Sequence, residues 1–151
     1  MSDHVCEPCR IAADLAASGR LYPLTGHWVM NAAVGWDARP WFVVQTATHR
    51  ASLADLDDAE AAELGAVGRA MTRAVAEATG AERVYFQLLN EAQPPHVHFH
   101  VIARLPGDPP EVRGPALLGT PGPAGGPSPE IAAGVAARAA ALLHHPQGSA
   151  G

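Results

Sequence analysis

Three histidines alternate in one run, His96-Val97-His98-Phe99-His100-Val101-Ile102, and two cysteines stand as Cys6-x-x-Cys9. Imidazole titrates near pH ~6.5, so its neutral form is available as a nucleophile or base, and it also binds zinc or iron. In a strand, side chains at i and i+2 share a face about 6.5–7 Å apart. His96, His98 and His100 then share one face, and Val97, Phe99 and Val101 share an apolar other. A polar face is ordinary on a half-solvated sheet. Such faces draw on Thr, Glu and Ser as well, so three imidazoles in strict alternation point to chemistry. Collinear histidines converge poorly on one ion at ~2.1 Å. A split role fits better, in which one ring attacks while its neighbours orient it or bind elsewhere.

The cysteine pair has three readings: half of a zinc site, a redox dithiol, or two plain thiols. The redox reading calls for a preceding strand in a βαβ setting, which the few residues before Cys6 do not supply. The zinc reading needs two more ligands. The remaining histidines are His4, His27, His49 and the pair His144-His145, whose Gly/Ser/Ala-rich surroundings predict an exposed, idle pair.

Several elements must position these groups. Ile11 and Leu15 predict a short helix over 6–17, stopping at Gly19. Strands are predicted at 27–31, 41–46, 84–89 and 96–102 from apolar and β-branched runs. Asp57-x-x-Glu60 resembles a capping box, and Leu64, Val67, Met71 and Val75 then recur on one helical face until Gly80. Pro and Gly dominate 106–128, which reads as a linker without regular structure. Ser128-Pro129-Glu130 opens a terminal helix over 129–145. The sum is an α+β domain over 1–105, with an antiparallel sheet and helices packed on one side, followed by the linker and the helix.

Composition excludes other chemistry. The 151 residues suit one domain. All ten basic residues are arginine, so no lysine can grip phosphate as in a P-loop or form a Schiff base. A net charge of -5 argues against a nucleic-acid polymer as partner. No apolar run reaches the ~18 residues of a membrane span. The polar first residues lack an apolar signal core, so the expectation is a cytoplasmic protein in a reducing compartment.

The run from His96 to Ile102 resembles the histidine triad (HIT) signature, His-φ-His-φ-His-φ-φ with φ apolar, at every position. Leu89-Asn90-Glu91 before it, Ala103-Arg104 after it, the cysteine pair, the strand containing Asn31, Thr48-His49-Arg50 and Leu53/Asp55/Leu56 are similar to that family in the same order, over residues 6–104. The resemblance implies a HIT-like sheet of about five strands. It implies a nucleotide hydrolase or nucleotidyl transferase cleaving at the α-phosphate of a dinucleoside polyphosphate or nucleoside phosphoramidate. His98 would form a nucleotidyl-histidine through Nε2, its other nitrogen held by a backbone carbonyl. His100 would hydrogen-bond the phosphate or leaving group. Asn31 would face the ribose, and Asn90 and Gln93 would lie toward the phosphate. In zinc-containing relatives a Cys₂His₂ site is completed by residues that correspond here to Cys6, Cys9, His49 and His96, with His4 or His27 as substitutes for one ligand. Relatives also pair as homodimers.

The sequence departs from the family in two places. Asn90-Glu91-Ala92-Gln93-Pro94-Pro95 replaces a longer loop with Gly and Ser or Thr, and its prolines donate no N–H. Arg39-Pro40-Trp41-Phe42 stands where Gly-His is frequent. These departures leave a second reading open, a zinc-stabilised nucleotide-binding module with little turnover. A third is a metal enzyme using all three triad histidines.

Overall fold

Asp57 starts the longest element. Its carboxylate accepts the Glu60 N–H at 2.8 Å while Glu60 accepts the Asp57 N–H at 2.9 Å, a reciprocal cap of about 1 kcal/mol. The structure, a computed structural model, describes residues 6–145. Helix α2 runs from Asp58 to Thr79 and buries Val67, Ala70, Met71, Ala74 and Val75 along one face. Gly80 ends it at a φ of 68°, a left-handed turn that glycine adopts without strain. Helix α1 spans Glu7–Ala17, and Cys6 caps it by accepting the Cys9 N–H on sulfur. Helix α3 spans Pro129–His144, with the Ser128 hydroxyl accepting the Ile131 N–H.

Five strands form one antiparallel sheet in the order β1-β2-β3-β5-β4, with β1 Tyr22–Pro23, β2 Trp28–Ala32, β3 Trp41–Thr46, β4 Arg83–Leu88 and β5 His98–Arg104. One face carries Trp28, Met30, Phe42, Val44, Phe99 and Val101 into a core closed by α2 and by Val135 and Ala139 of α3. Each such side chain contributes roughly 1.5–3 kcal/mol by leaving water. The pleat therefore turns His98 and His100 to the opposite face. There Gln45 pairs with His98, Val43 with His100, and Asn31 with Val43.

The structure changes three sequence expectations. The last strand begins at His98, not His96. Pro94 and Pro95 offer no N–H, the Val97 N–H bonds the Arg50 carbonyl, and His96 turns away before the ladder starts. The short β1 carries too little pattern to be read. Segment 106–128 holds regular structure after all, a 3₁₀ helix over Gly114–Gly119 with Leu117 buried. Arg39 pins that segment. Its guanidinium donates to both Asp108 oxygens at 3.2 and 3.1 Å, to the Ala103 carbonyl at 3.2 Å, and to the Thr120 carbonyl at 2.9 and 2.7 Å. Burial would raise the Asp108 carboxyl, but the Arg39 donors and the Leu105 N–H outweigh it and hold it below the ordinary carboxylate range. Where the segment passes the β2–β3 turn, a Cβ on Gly126 would stand 2.8 Å from the Asp37 Cα, so only glycine fits there. Among the described residues no helix is long and apolar enough to cross a membrane.

Candidate functional site

His98 is the first residue of β5, and its side chain is fixed by the backbone two residues earlier. Its Nδ1 lies 2.6 Å from the His96 carbonyl. A carbonyl can only accept, so Nδ1 carries the proton and Nε2 keeps a free lone pair. His100 has the opposite arrangement. The indole N–H of Trp41 donates to its Nδ1 at 3.1 Å, so the proton of the neutral ring sits on Nε2. The two rings meet edge to face with centroids 4.9 Å apart. Burial, and secondarily the neighbouring His98, push His100 down to about 4. The pair thus sets an unprotonated nitrogen beside a neutral N–H donor.

Both rings open into a pocket of about 420 Å³, within the range of small-ligand sites. Its floor is the sheet face with Asn31, Val43 and Gln45. Glu7, Pro8 and Ile11 of α1 form one wall, and Val34, Trp36 and Leu118 form another. Trp36 is half-exposed and lies against Trp41, centroids 4.8 Å apart. The charged residues that line the pocket are Glu7 and Glu91, and none of the described arginines does. Arg104 instead pairs with Glu82 at 3.1 Å.

The predicted nucleotide-binding residues divide. Asn31 is buried in the pocket floor, its amide donating to the Ala32 carbonyl at 2.8 Å. Asn90 gives its amide N–H to the Ala51 carbonyl at 2.8 Å, and Gln93 is exposed; neither lines the pocket. Gln45, Trp36 and Trp41 do line it and were not foreseen. For Gln45 the signal was available. Trp41, Val43 and Gln45 alternate with the core residues Phe42 and Val44, so a polar residue at 45 belongs to the face opposite the core.

The four predicted metal ligands come together. The Cys6, Cys9, His49 and His96 ligand atoms all lie within 4.8 Å of one another. His96 Nδ1 is 3.3 Å from the Cys6 sulfur and 3.2 Å from the Cys9 sulfur, and His49 Nδ1 is 3.6 Å from the Cys9 sulfur. Tetrahedral zinc with bonds of ~2.3 Å to sulfur and ~2.1 Å to nitrogen spaces its ligands about 3.5 Å apart. The buried His96 ring has Nε2 at 3.2 Å from the Thr46 carbonyl, which places the proton there and leaves Nδ1 as the donor atom, the usual outer support of a metal-bound imidazole. Burial, followed by the adjacent Cys6, pushes the Cys9 thiol up to about 11. That is the reverse of a reactive dithiol, and two such sulfurs become thiolates when a cation sits between them. The donor set fits a structural zinc ion. His27 instead faces Glu63 at 3.0 Å, and His4 lies outside the described residues. His144 and His145 are exposed.

No protein-family model matches the sequence, and no curated protein matches it. Solved structures do. A hypothetical histidine triad nucleotide-binding protein from Sulfolobus tokodaii strain7 superposes with a TM-score of 0.59 over 91% of this chain and 93% of that one, at 14% identity. A zinc-bound histidine triad family protein from Mycobacterium smegmatis gives 0.58 over 94% and 97%, at 23% identity. A structure described as a uridylyltransferase gives 0.66 over 91% of this chain but 46% of its own, at 20% identity. The chain has the histidine triad fold.

Proposed function

We propose that the chain is a nucleotide hydrolase or nucleotidyl transferase that cleaves at the α-phosphate through a covalent nucleotidyl-histidine on His98. The observation that carries this reading is the free Nε2 of His98, fixed by the His96 carbonyl and opening into a pocket of nucleotide size. In the first step the Nε2 lone pair forms a P–N bond as the bond from phosphorus to the leaving group breaks. The bonding electrons depart with that group, which takes up a proton. In the second step water, or an acceptor hydroxyl in a transferase, attacks phosphorus and releases His98 while losing its own proton. The His100 Nε2–H donates to a phosphoryl oxygen or to the departing atom, where charge develops. Zinc held by Cys6, Cys9, His49 and His96 would fasten α1 to the sheet and would not meet substrate.

Between the two leaving-group classes, the lining favours the phosphoramidate. A polyphosphate brings several negative charges, and the pocket answers with Glu7, Glu91 and no arginine. An amine leaving group adds none. The second reading, a binding module with little turnover, draws on the loop before the triad, where two prolines withhold N–H groups and Gln93 does not line the pocket. Trapping separates the two. Incubation with labelled adenosine phosphoramidate and diadenosine polyphosphates, followed by acid-free quench and mass spectrometry, should find a nucleotidyl adduct on His98 that His98→Ala lacks. Binding with neither adduct nor turnover across that panel rejects the enzymatic reading in favour of the module.

A further inference from the structure

We propose that Trp41 is a positioning residue that restricts His100 to the role of neutral hydrogen-bond donor. The inference rests on the reading above only for its catalytic consequence; the tautomer it assigns stands on geometry. Trp41 is the first residue of β3 and pairs with Ile102, which puts its side chain on the pocket face, diagonal to His100. The indole is 4% exposed and T-shaped to the His100 ring, with centroids 5.5 Å apart and planes at 81°. Trp36 lies against it from the solvent side.

The argument turns on what an indole cannot do. Its nitrogen donates and never accepts. A hydroxyl or a histidine at this position could rotate or change tautomer to suit either state of His100. Trp41 cannot. A proton on His100 Nδ1 would set two N–H groups against each other at 3.1 Å, beside a tryptophan that is almost wholly buried. Both the Nδ1–H tautomer and the doubly protonated ring are therefore disfavoured. His100 Nε2 always bears hydrogen toward the pocket and has no lone pair to offer there. It can hold a phosphoryl oxygen or a departing atom, but it cannot remove a proton from incoming water through that nitrogen. His100's half of the division of labour thus originates in a residue outside the triad, whereas His98's half is set by the His96 carbonyl.

Long-range ¹H–¹⁵N correlation spectra of the histidine side chains test this. In the wild-type protein His100 should show a bare, acceptor-type Nδ1 and a protonated Nε2 as a single tautomer, and the Trp41 indole N–H should exchange slowly with solvent. Trp41→Phe keeps the ring packing and removes the donor; both tautomers should then appear. With adenosine phosphoramidate as substrate, kcat should fall about tenfold, the scale of one lost hydrogen bond, with KM little changed. Trp41→His restores a ring N–H and should recover part of kcat. A wild-type His100 protonated on Nδ1, or a fast-exchanging Trp41 indole, overturns the proposal without any variant. A Trp41→Phe protein with wild-type tautomer and wild-type kcat overturns it equally. If the wild-type protein turns nothing over, the catalytic reading fails while the spectra still decide the Trp41–His100 assignment.

Discussion

The two walls added to the sheet around the pocket are fastened by different chemistry. Helix α1, which contributes Glu7, Pro8 and Ile11, is tied by two sulfurs to two imidazoles. Segment 106–128, which contributes Leu118, is tied by the ion pair of Arg39 and Asp108, whose side chains are 2% and 0% exposed. The second fastening is complete in the polypeptide. Every guanidinium nitrogen has an acceptor, and the carboxylate also takes the Leu105 N–H at 2.7 Å. The first is incomplete without a cation, because thiols beside neutral imidazoles make weak hydrogen bonds and a raised Cys9 keeps its proton. One wall therefore depends on the metal supply of the cell and the other does not.

The comparison can be broken in order of effect. Arg39→Met leaves Asp108 buried and unpaired, and unfolding free energy should drop by about 3–5 kcal/mol. The loss should be the same with and without chelator in urea titrations; a chelator-dependent loss would mean that the two fastenings are coupled. Thr46→Gly removes the hydroxyl near His96 Nε2 and loosens the supporting backbone. Zinc affinity measured by chelator competition should weaken about 10–100-fold, while hydrogen exchange in 106–128 stays as in wild type. Elemental analysis of the native protein should find one zinc per chain, and a value near zero in a folded, chelator-free preparation removes the metal fastening altogether.

A further prediction concerns the pocket between the walls. The folded His100 binds its proton at about 4, below the ~6.5 of an unfolded histidine, so between those values the unfolded chain holds more protons. Its contribution to stability is therefore fully present above pH ~6.5 and is lost as pH falls toward 4. His100→Gln should flatten the stability-versus-pH curve in that window at saturating zinc; an unchanged slope would mean that His100 is not held neutral. The smallest effect belongs to Glu77, which joins α2 to α3 through Arg138 at 2.7 Å on the surface. Both its arginines hold it down to about 2, so Glu77→Gln should lower the urea midpoint slightly at pH 7. That difference should vanish as pH falls through 2, and neither wall should respond.

Much of this arrangement was legible in the residues, for identifiable reasons. The alternation Phe42, Val44 and Phe99, Val101 fixes which face is buried, and so where His98 and His100 point. The cap at Asp57 and the stop at Gly80 bound α2 because local hydrogen bonds and a left-handed turn decide them. The Arg39–Asp108 clamp was not legible, since a single arginine in a turn and one aspartate in a Pro/Gly-rich stretch carry no periodicity. In the sequence Trp41 stands out only as a departure from the histidine triad pattern. Its role comes from a diagonal contact across β3 and β5, which depends on register, and register is a tertiary property. The motif is continuous in sequence and so predicts His96 as part of the strand, whereas the ladder begins two residues later.

The sulfur–imidazole cluster has a consequence for the order of folding. It joins residues 40, 87 and 90 positions apart along the chain, so it closes loops far longer than any helical turn. Such closures come late, after local structure and the β3–β5 pairing have brought the ends together. Zinc should then be captured after the rate-limiting step, acting as a lock on the finished sheet and slowing its unfolding without hastening its assembly. Stopped-flow refolding with and without zinc should give equal folding rates and unequal unfolding rates; a zinc-accelerated folding limb would place the cluster in the nucleus.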